Sequence, residues 1–584
     1  MICWGDRRNC GVLLLEDDEG TTERCRCIRD ECIDDLPLDK RQRPKETEFK
    51  KVLRNLDNRT TKDLRQLNDI LAIKSVCKGA DYGEQRKIAI ETIEKTLQAL
   101  DFEVEVVEIG SDVDKGADRH FVIFADYFST PIKNTILVYG NVDVMPITER
   151  EAKKWIHDPY KLTQKMGTLY GHGVATSKGP ILCWIQAVSA WMEETRDLPV
   201  NFRFIIDTNH NNGCSGLTAL FDERPDFFLP VDLVICCTNH WISEHMALIS
   251  TSHSGYIHFS LEVMEDPTKE GGREPLADLS LLLNSLVDEK NNIRVPNIDR
   301  HVRPLTHSDY IILTKTEYGI SEHKTNMGAS RLPHDSCKAE MLKHMWCKPS
   351  LSINSVDAKF CNSSRDLYYP KKATATFTIK IIPDQSIDYI FYQVSEYLND
   401  VYKKNCCKSI ANLRVVEKLH PLHEPRHSPV DLAAKDAFNR VYGRETAHSE
   451  NICICIPILN KLRRYCSKDS HALPLPFCST HTRPNRPNES IPEVMYVKNR
   501  LLFATLMYEV GQIPAFCKCR RIRNYCRLHG KTKEVDYTRV VDVRKQLNTY
   551  LVNEYEQNRI VQFKDSDVPT ARDTLLQGIS KELD

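Results

Sequence analysis

The sequence lacks an excess of charge of either sign. Lys and Arg number 80 against 81 Asp and Glu, a formal net charge of −1, so no global field draws the chain to nucleic acid or to an anionic membrane. It lacks a long apolar run: Gly11-Val-Leu-Leu-Leu15 is soon followed by Glu16, Asp17 and Asp18. That run is too short to span a bilayer, and the small residues of a secretory cleavage site do not follow it. It lacks internal repeats and low-complexity blocks. Its 22 cysteines include no paired CxxC spacing. Two groups, Cys3, Cys10, Cys25, Cys27 and Cys32 near one end and Cys517, Cys519 and Cys526 near the other, are considered as metal ligands, but without that spacing they do not read as zinc fingers. Scattered cysteine in a long chain fits free buried thiols in a reducing compartment. The expected location is the cytoplasm, with no membrane and no nucleic-acid partner.

With 584 residues, 41% of them hydrophobic, the chain has material for two or more cores. Residues 1–47 read as an irregular leader. Residues 49–100 carry helical periodicity, with Leu53, Leu64, Leu67, Ile70 and Leu71 near helical spacing. Short apolar runs then alternate with helical stretches: strands near 102–109, 120–124, 135–139, 200–206 and 231–236, and helices near 180–194 and from 217. That order predicts an α/β class, an α/β/α sandwich with a mixed or mostly parallel sheet. From 255 the texture changes to strictly alternating strands at 255–263 and 373–382, helices at 276–286 and 387–402, and a strand at 411–416. Larger apolar helices return at 431–442 and 495–510. The expected organisation is one domain at 48–253 and 425–513, interrupted by a smaller α+β domain at 254–424. Residues 514–584 are expected to be a basic stretch followed by a polar helical tail.

Several motifs between 134 and 510 occur in an order that carries a resemblance. Asn134-Thr-Ile-Leu-Val-Tyr-Gly-Asn-Val-Asp-Val144 is similar to a strand and turn bearing Gly-His-x-Asp-Val. Trp155-Ile-His-Asp-Pro-Tyr160 matches Trp-x-x-Asp-Pro-Tyr. Leu169-Tyr-Gly-His-Gly-Val-Ala-Thr-Ser-Lys-Gly-Pro180 is similar to Leu-Tyr-Gly-Arg-Gly-x-x-Asp-x-Lys-Gly-Pro. Pro199-Val-Asn-Phe-Arg-Phe204, Pro349-Ser-Leu-Ser352 and Leu506-Met-Tyr-Glu-Val510 add further matches. Together, over residues 49–513, they resemble the cytosolic non-specific dipeptidase and carnosinase branch of the di-zinc aminoacylase/carboxypeptidase metallopeptidases. The resemblance implies a lid domain that forms homodimers, and two zinc ions that activate a bridging water.

Carried over position by position, the resemblance places the first zinc ligand, a His, at Asn141, and the Asp that orients it at Asp143. The bridging Asp falls on Thr176. In Asp207-Thr-Asn-His-Asn-Asn-Gly213 the general base falls on His210 and a ligand Glu on Asn211. In Cys237-Thr-Asn-His-Trp241 a ligand Asp falls on Thr238, and the last ligand His falls on Asn485 in Pro484-Asn-Arg-Pro-Asn-Glu489. The lid stretch Pro267-Thr-Lys-Glu-Gly-Gly272 has no His; the lid Arg is Cys347 and a substrate-facing lid His is Asn354.

Amide and hydroxyl groups hold zinc weakly, and carboxylates crowded around an empty metal site would repel one another. The replacements therefore suit a pocket without a cation. The leading expectation is a catalytically inactive relative that binds no cofactor. It would retain a peptide or amino-acid cleft, or act as a subunit in a homodimer or in a heterodimer with an active relative. The alternative is an active dipeptidase that holds two zinc ions through a rewired site using His210, His240 or His481. For these histidines and for His172 the bland reading is polar residues of a former cleft. For Asp143 it is a hydrogen-bonded structural acid, and for Lys178-Gly-Pro180 a turn into a helix.

Overall fold

In the computed structural model the structure describes residues 43–513, apart from 110–118, 131–132, 215, 239–240, 242–246, 269–273, 317, 333, 360–369, 425–427, 445, 468–469 and 480–481, together with 15–16, 22–23 and 560–563. The helical stretch at the start resolves into α1 (Glu46–Asn58), α2 (Thr60–Ala72) and α3 (Gly83–Gln98). In α1 the buried residues Phe49, Val52 and Leu56 fall on one stripe, the spacing that commits a helix face to a core. The chain continues through β1 (Glu103–Ile109), β2 (His120–Tyr127), β3 (Thr135–Asn141), α4 (Lys178–Thr195), β4 (Asn201–Asp207), α5 (Leu217–Glu223) and β5 (Leu233–Thr238).

It then leaves for a second sheet. The elements there are β6 (Gly255–Met264), α6 (Pro275–Leu286), β7 (Ser350–Lys359), β8 (Lys372–Ile381), α7 (Ile387–Lys404) and β9 (Ile410–Leu419). It returns through α8 (Pro429–Tyr442), α9 (Pro457–Tyr465), β10 (His471–Pro476) and α10 (Glu493–Gln512). The described residues of the C-terminal region, 560–563, include β11 (Ile560–Gln562). This corrects the expectation of a separate helical tail at that point: the segment Ile560-Val-Gln-Phe563 is extended and joins the second sheet.

The first sheet runs β10-β5-β3-β4-β2-β1. Its strands β10, β5, β3 and β4 are mutually parallel, whereas β2 is antiparallel to both neighbours. Alternation along β3 divides its residues between two cores. Ile136 and Val138 pack with α1–α4, α8 and α10, while Leu137 and Tyr139 pack with α5 and α9. Two-sided burial is what makes these strands read as continuous apolar runs, and the result is an α/β/α sandwich. After β3 the chain pairs on one side through α4 and β4, then crosses to the other side through α5 and β5. The carboxyl ends of β3, β4 and β5 thus meet at a topological switch point, where open α/β sheets form their clefts.

The inserted sheet is antiparallel, in the order β7-β8-β6-β9-β11, with α6 and α7 packed on one face. Both chain crossings between the domains belong to a small sheet. Leu248–His253 pairs antiparallel with Leu422–His423 (Ser252 opposite His423) and parallel with Ala447–Ile454. Glu424 N donates to Thr251 O at 2.8 Å, and Ser252 Oγ lies 3.1 Å from His423 Nδ1. Gly255 is required at this crossing, because a Cβ there would stand 2.1 Å from the Leu419 carbonyl oxygen. Among the described residues no helix is long and apolar enough to cross a membrane, and the cysteines are free.

Candidate active site

The cleft at the strand ends has two halves. The first is built on β3, β4 and the turns that follow them. Asn141, the last residue of β3, donates from Nδ2 to Asp143 Oδ1 at 2.7 Å. Asp143 is fully buried, and its other oxygen accepts from the backbone N–H of Asn211 at 2.8 Å. The Asn211 side-chain amide donates to the Asp143 carbonyl at 3.2 Å. Asn141, Asp143 and Asn211 therefore form one closed set of hydrogen bonds.

Beside them Tyr139 links Asp207 and His210. The Tyr139 hydroxyl is 2.6 Å from Asp207 Oδ2 and 2.9 Å from His210 Nδ1. One hydroxyl has one proton, which goes to Asp207, so the contact with His210 uses the imidazole's own N–H. Burial, reinforced by the nearby Asp143, pushes the Asp207 carboxyl well above the carboxylate range, while burial pushes the His210 imidazole down. Tyr139 donates to Asp207, and the neutral His210 can in turn donate its Nδ1–H to the Tyr139 oxygen. Cys214 Sγ lies 3.6 Å from His210 Nδ1. Burial, with Asp207 adding to it, pushes that thiol up to about 12, so it is held neutral rather than poised as a nucleophile.

The second half is the turn that starts α4. Gly179 is needed there, because a Cβ would fall 1.9 Å from the Val174 carbonyl oxygen. The tight turn aims successive backbone N–H groups at one point. Glu489 fills it: its fully buried carboxylate accepts from Gly173 N (2.9 Å), Ala175 N (3.0 Å), Thr176 N (3.1 Å) and Thr176 Oγ1 (2.9 Å). His172 Nδ1 lies 3.3 Å from the same carboxylate, and its Nε2–H donates to Met145 O at 2.8 Å. Asn485 Oδ1 lies 3.4 Å from Thr176 Oγ1. Lys178, also fully buried, donates to the Ile73 carbonyl. Burial pushes its ammonium down to about 7, against the pull of Asp143 and Glu489.

The structure thus brings Asn141, Asp143, His210 and Asn211 together in one half and Thr176 and Asn485 in the other. Thr238 ends β5, with its backbone opposite Pro476. His240 and His481 lie outside the described residues, as do the two terminal cysteine groups and residues 269–272 of the lid stretch. Cys347 and Asn354 belong to the inserted domain. Cys347 is buried, its thiol pushed up to about 12 chiefly by burial, and it borders a small cavity with Arg303, Asp384 and His423. Asn354 donates to Thr378 Oγ1 at 2.8 Å across the lid sheet. Sequence reasoning missed the roles of Tyr139, Asp207 and Glu489. Glu489 stood inside a quoted motif, two residues after Pro487, and an acid closing that proline-rich turn was the available signal.

A di-zinc centre needs imidazole, thiolate or carboxylate donors converging on each ion. Among the described residues, those at the positions named above do not fit one. Asn141 and Asn211 commit amide donors to Asp143, and Thr176 commits its hydroxyl to Glu489. Among the described residues no group of three or more His, Cys, Asp or Glu side chains converges on a point that could hold a metal ion.

Comparison with known proteins places the fold in a family. The family described as Peptidase family M20/M25/M40 matches residues 137–506. The Beta-Ala-His dipeptidase of Homo sapiens is 32% identical over 429 residues, covering 72% of this chain and 83% of that protein. The Cys-Gly metallodipeptidase DUG1 of Saccharomyces cerevisiae is 29% identical over 341 residues, covering 55% of this chain and 68% of that protein. The crystal structure of human carnosine dipeptidase 1 superposes with a TM-score of 0.64 at 29% identity, covering 80% of this chain and 100% of that chain. Sequence and fold agree, and the chain belongs to the M20/M25/M40 peptidase family, in its dipeptidase branch.

Proposed function

We propose that this chain is a non-hydrolysing member of the dipeptidase branch, whose cleft has exchanged a di-zinc centre for a neutral hydrogen-bonded network. The observation that carries the reading is the 2.7 Å bond from Asn141 Nδ2 to Asp143 Oδ1. A His at this position would donate one nitrogen to Asp143 and turn the other toward a metal. The Asn gives Asp143 the same bond and has only a neutral amide oxygen left. The cleft then serves to bind a small peptide or amino acid without cleaving it. The lid pairs with a second copy or with an active relative, in the cytoplasm, a location supported by the free cysteines.

The test is hydrolysis of β-Ala-His and Cys-Gly by the purified full-length chain, with zinc at increasing concentration. The expected rate equals the blank, whatever the metal added. Zinc-dependent turnover would sink the proposal.

A second reading has its own support, because the relatives above are named as dipeptidases. On it, the chain hydrolyses small peptides with zinc held by residues such as His210, His240 or His481. It predicts turnover that disappears when those histidines are replaced.

A further inference from the structure

We infer that the C-terminal segment around β11 caps the β9 margin of the lid sheet, so that no other strand can add there. The argument begins with the pairing register. Ile560, Val561 and Gln562 lie opposite Arg414, Leu413 and Asn412, and Phe563 N donates to Ala411 O at 3.0 Å. Residues directly opposite across an antiparallel ladder share a face. Ala411 and Leu413 are fully buried on the core face of the lid sheet, so the register delivers Val561 and Phe563 to that same core.

Both side chains are found there. Phe563 is buried among the lid core residues, its ring 5.9 Å from that of Tyr402, and Val561 packs against the same cluster. A slip of one residue would turn this pair out to solvent. The apolar residues of the tail therefore specify the docking position, and the contact is more than a chance brush of an extended chain against an edge.

The two margins of the lid sheet explain why such a cap is useful. An unpaired strand edge is a template for another chain. At the far margin, β7 interrupts its own regularity: its register with β8 shifts between Ile353 and Ser355. Such bulges discourage addition. At the near margin, residues 410–415 of β9 run in unbroken register with β6, so nothing within β9 blocks a further strand along that stretch. The tail occupies it.

The inference is independent of whether the cleft hydrolyses anything, and it has a residue-level test. The bond from Phe563 to Ala411 makes 411/563 a hydrogen-bonded pair. Such pairs alternate, so 413/561 is another. The Leu413 N–H therefore faces β11, whereas the Asn412 and Arg414 N–H groups face β6. Hydrogen exchange resolved to single residues, with sedimentation velocity alongside, is measured on the full chain, on the double variant V561D/F563D, and on a chain ending at residue 559. In both altered chains Leu413 is expected to exchange about tenfold faster or more, with Asn412 and Arg414 unchanged, and larger assemblies are expected to appear as the open margin pairs between molecules. An unchanged Leu413 rate overturns the inference. So does a faster Leu413 rate with assemblies no larger than those of the intact chain.

Discussion

The two halves of the cleft solve one problem in opposite ways. Each buries acids at the carboxyl end of a sheet. At the start of α4, Glu489 receives three backbone N–H groups and a hydroxyl, so its charge is matched by fixed dipoles. At the ends of β3 and β4, Asp207 is buried near Asp143, and burial reinforced by that acid favours its protonated form. Buried acids must be either solvated by the backbone or neutralised, and this chain uses both remedies within one cleft.

The largest expected effect tests the backbone remedy. Glu489→Ala strands the N–H groups of Gly173, Ala175 and Thr176, and should cost roughly 3–5 kcal/mol in urea unfolding, since each buried donor left without a partner costs about 1–3 kcal/mol. If it cost no more than Asn141→Ala, the contrast between the halves would collapse.

The next effect is on pH dependence, and the halves should differ in sign. Asp207 has a raised value in the folded state. Its contribution to stability is complete below its ordinary 3.8 and is lost as pH rises through the raised value. Lys178 has a lowered value. Its contribution is complete above its ordinary 10.5 and is lost as pH falls toward about 7. Stability curves of Asp207→Asn and Lys178→Met against the parent chain should therefore lose a downward and an upward slope respectively. Two variants with the same pH profile would refute the division.

The smallest effect is that of Asn141→Ala. It removes one donor from an acid that keeps the Asn211 N–H, and should cost about 1 kcal/mol in the same unfolding assay.

Much of the architecture was legible in the sequence, because burial on two faces writes apolar runs and burial on one face writes alternation. The strands at β3, β4, β6 and β8 and the helices α4, α6, α7, α8 and α10 were readable in this way. Strand β10 was not: His471-Ala-Leu-Pro-Leu-Pro476 carries Pro474 and Pro476, which argue against a strand everywhere except at a sheet margin, where it lies. Strand β11 was hidden in a polar tail, since only contact with β9 makes Val561 and Phe563 core residues. The positions Asn141, Thr176, Asn211 and Asn485 could be found by motif. What could not be read was the partner of each, because the turn at 171–179 and Glu489 meet only in the fold.

The paired crossing between the domains has a mechanical consequence. Two separate linkers would leave an inserted domain free to tilt in several directions. Here the outgoing strand Leu248–His253 and the returning Leu422–His423 are bonded to each other, with Gly255 pressed against the backbone of Leu419 at the point of departure. Twisting one strand against the other would break that ladder, whereas bending both together leaves it whole. The two crossings therefore act as one bonded ribbon, so a displacement of either strand is carried to the other.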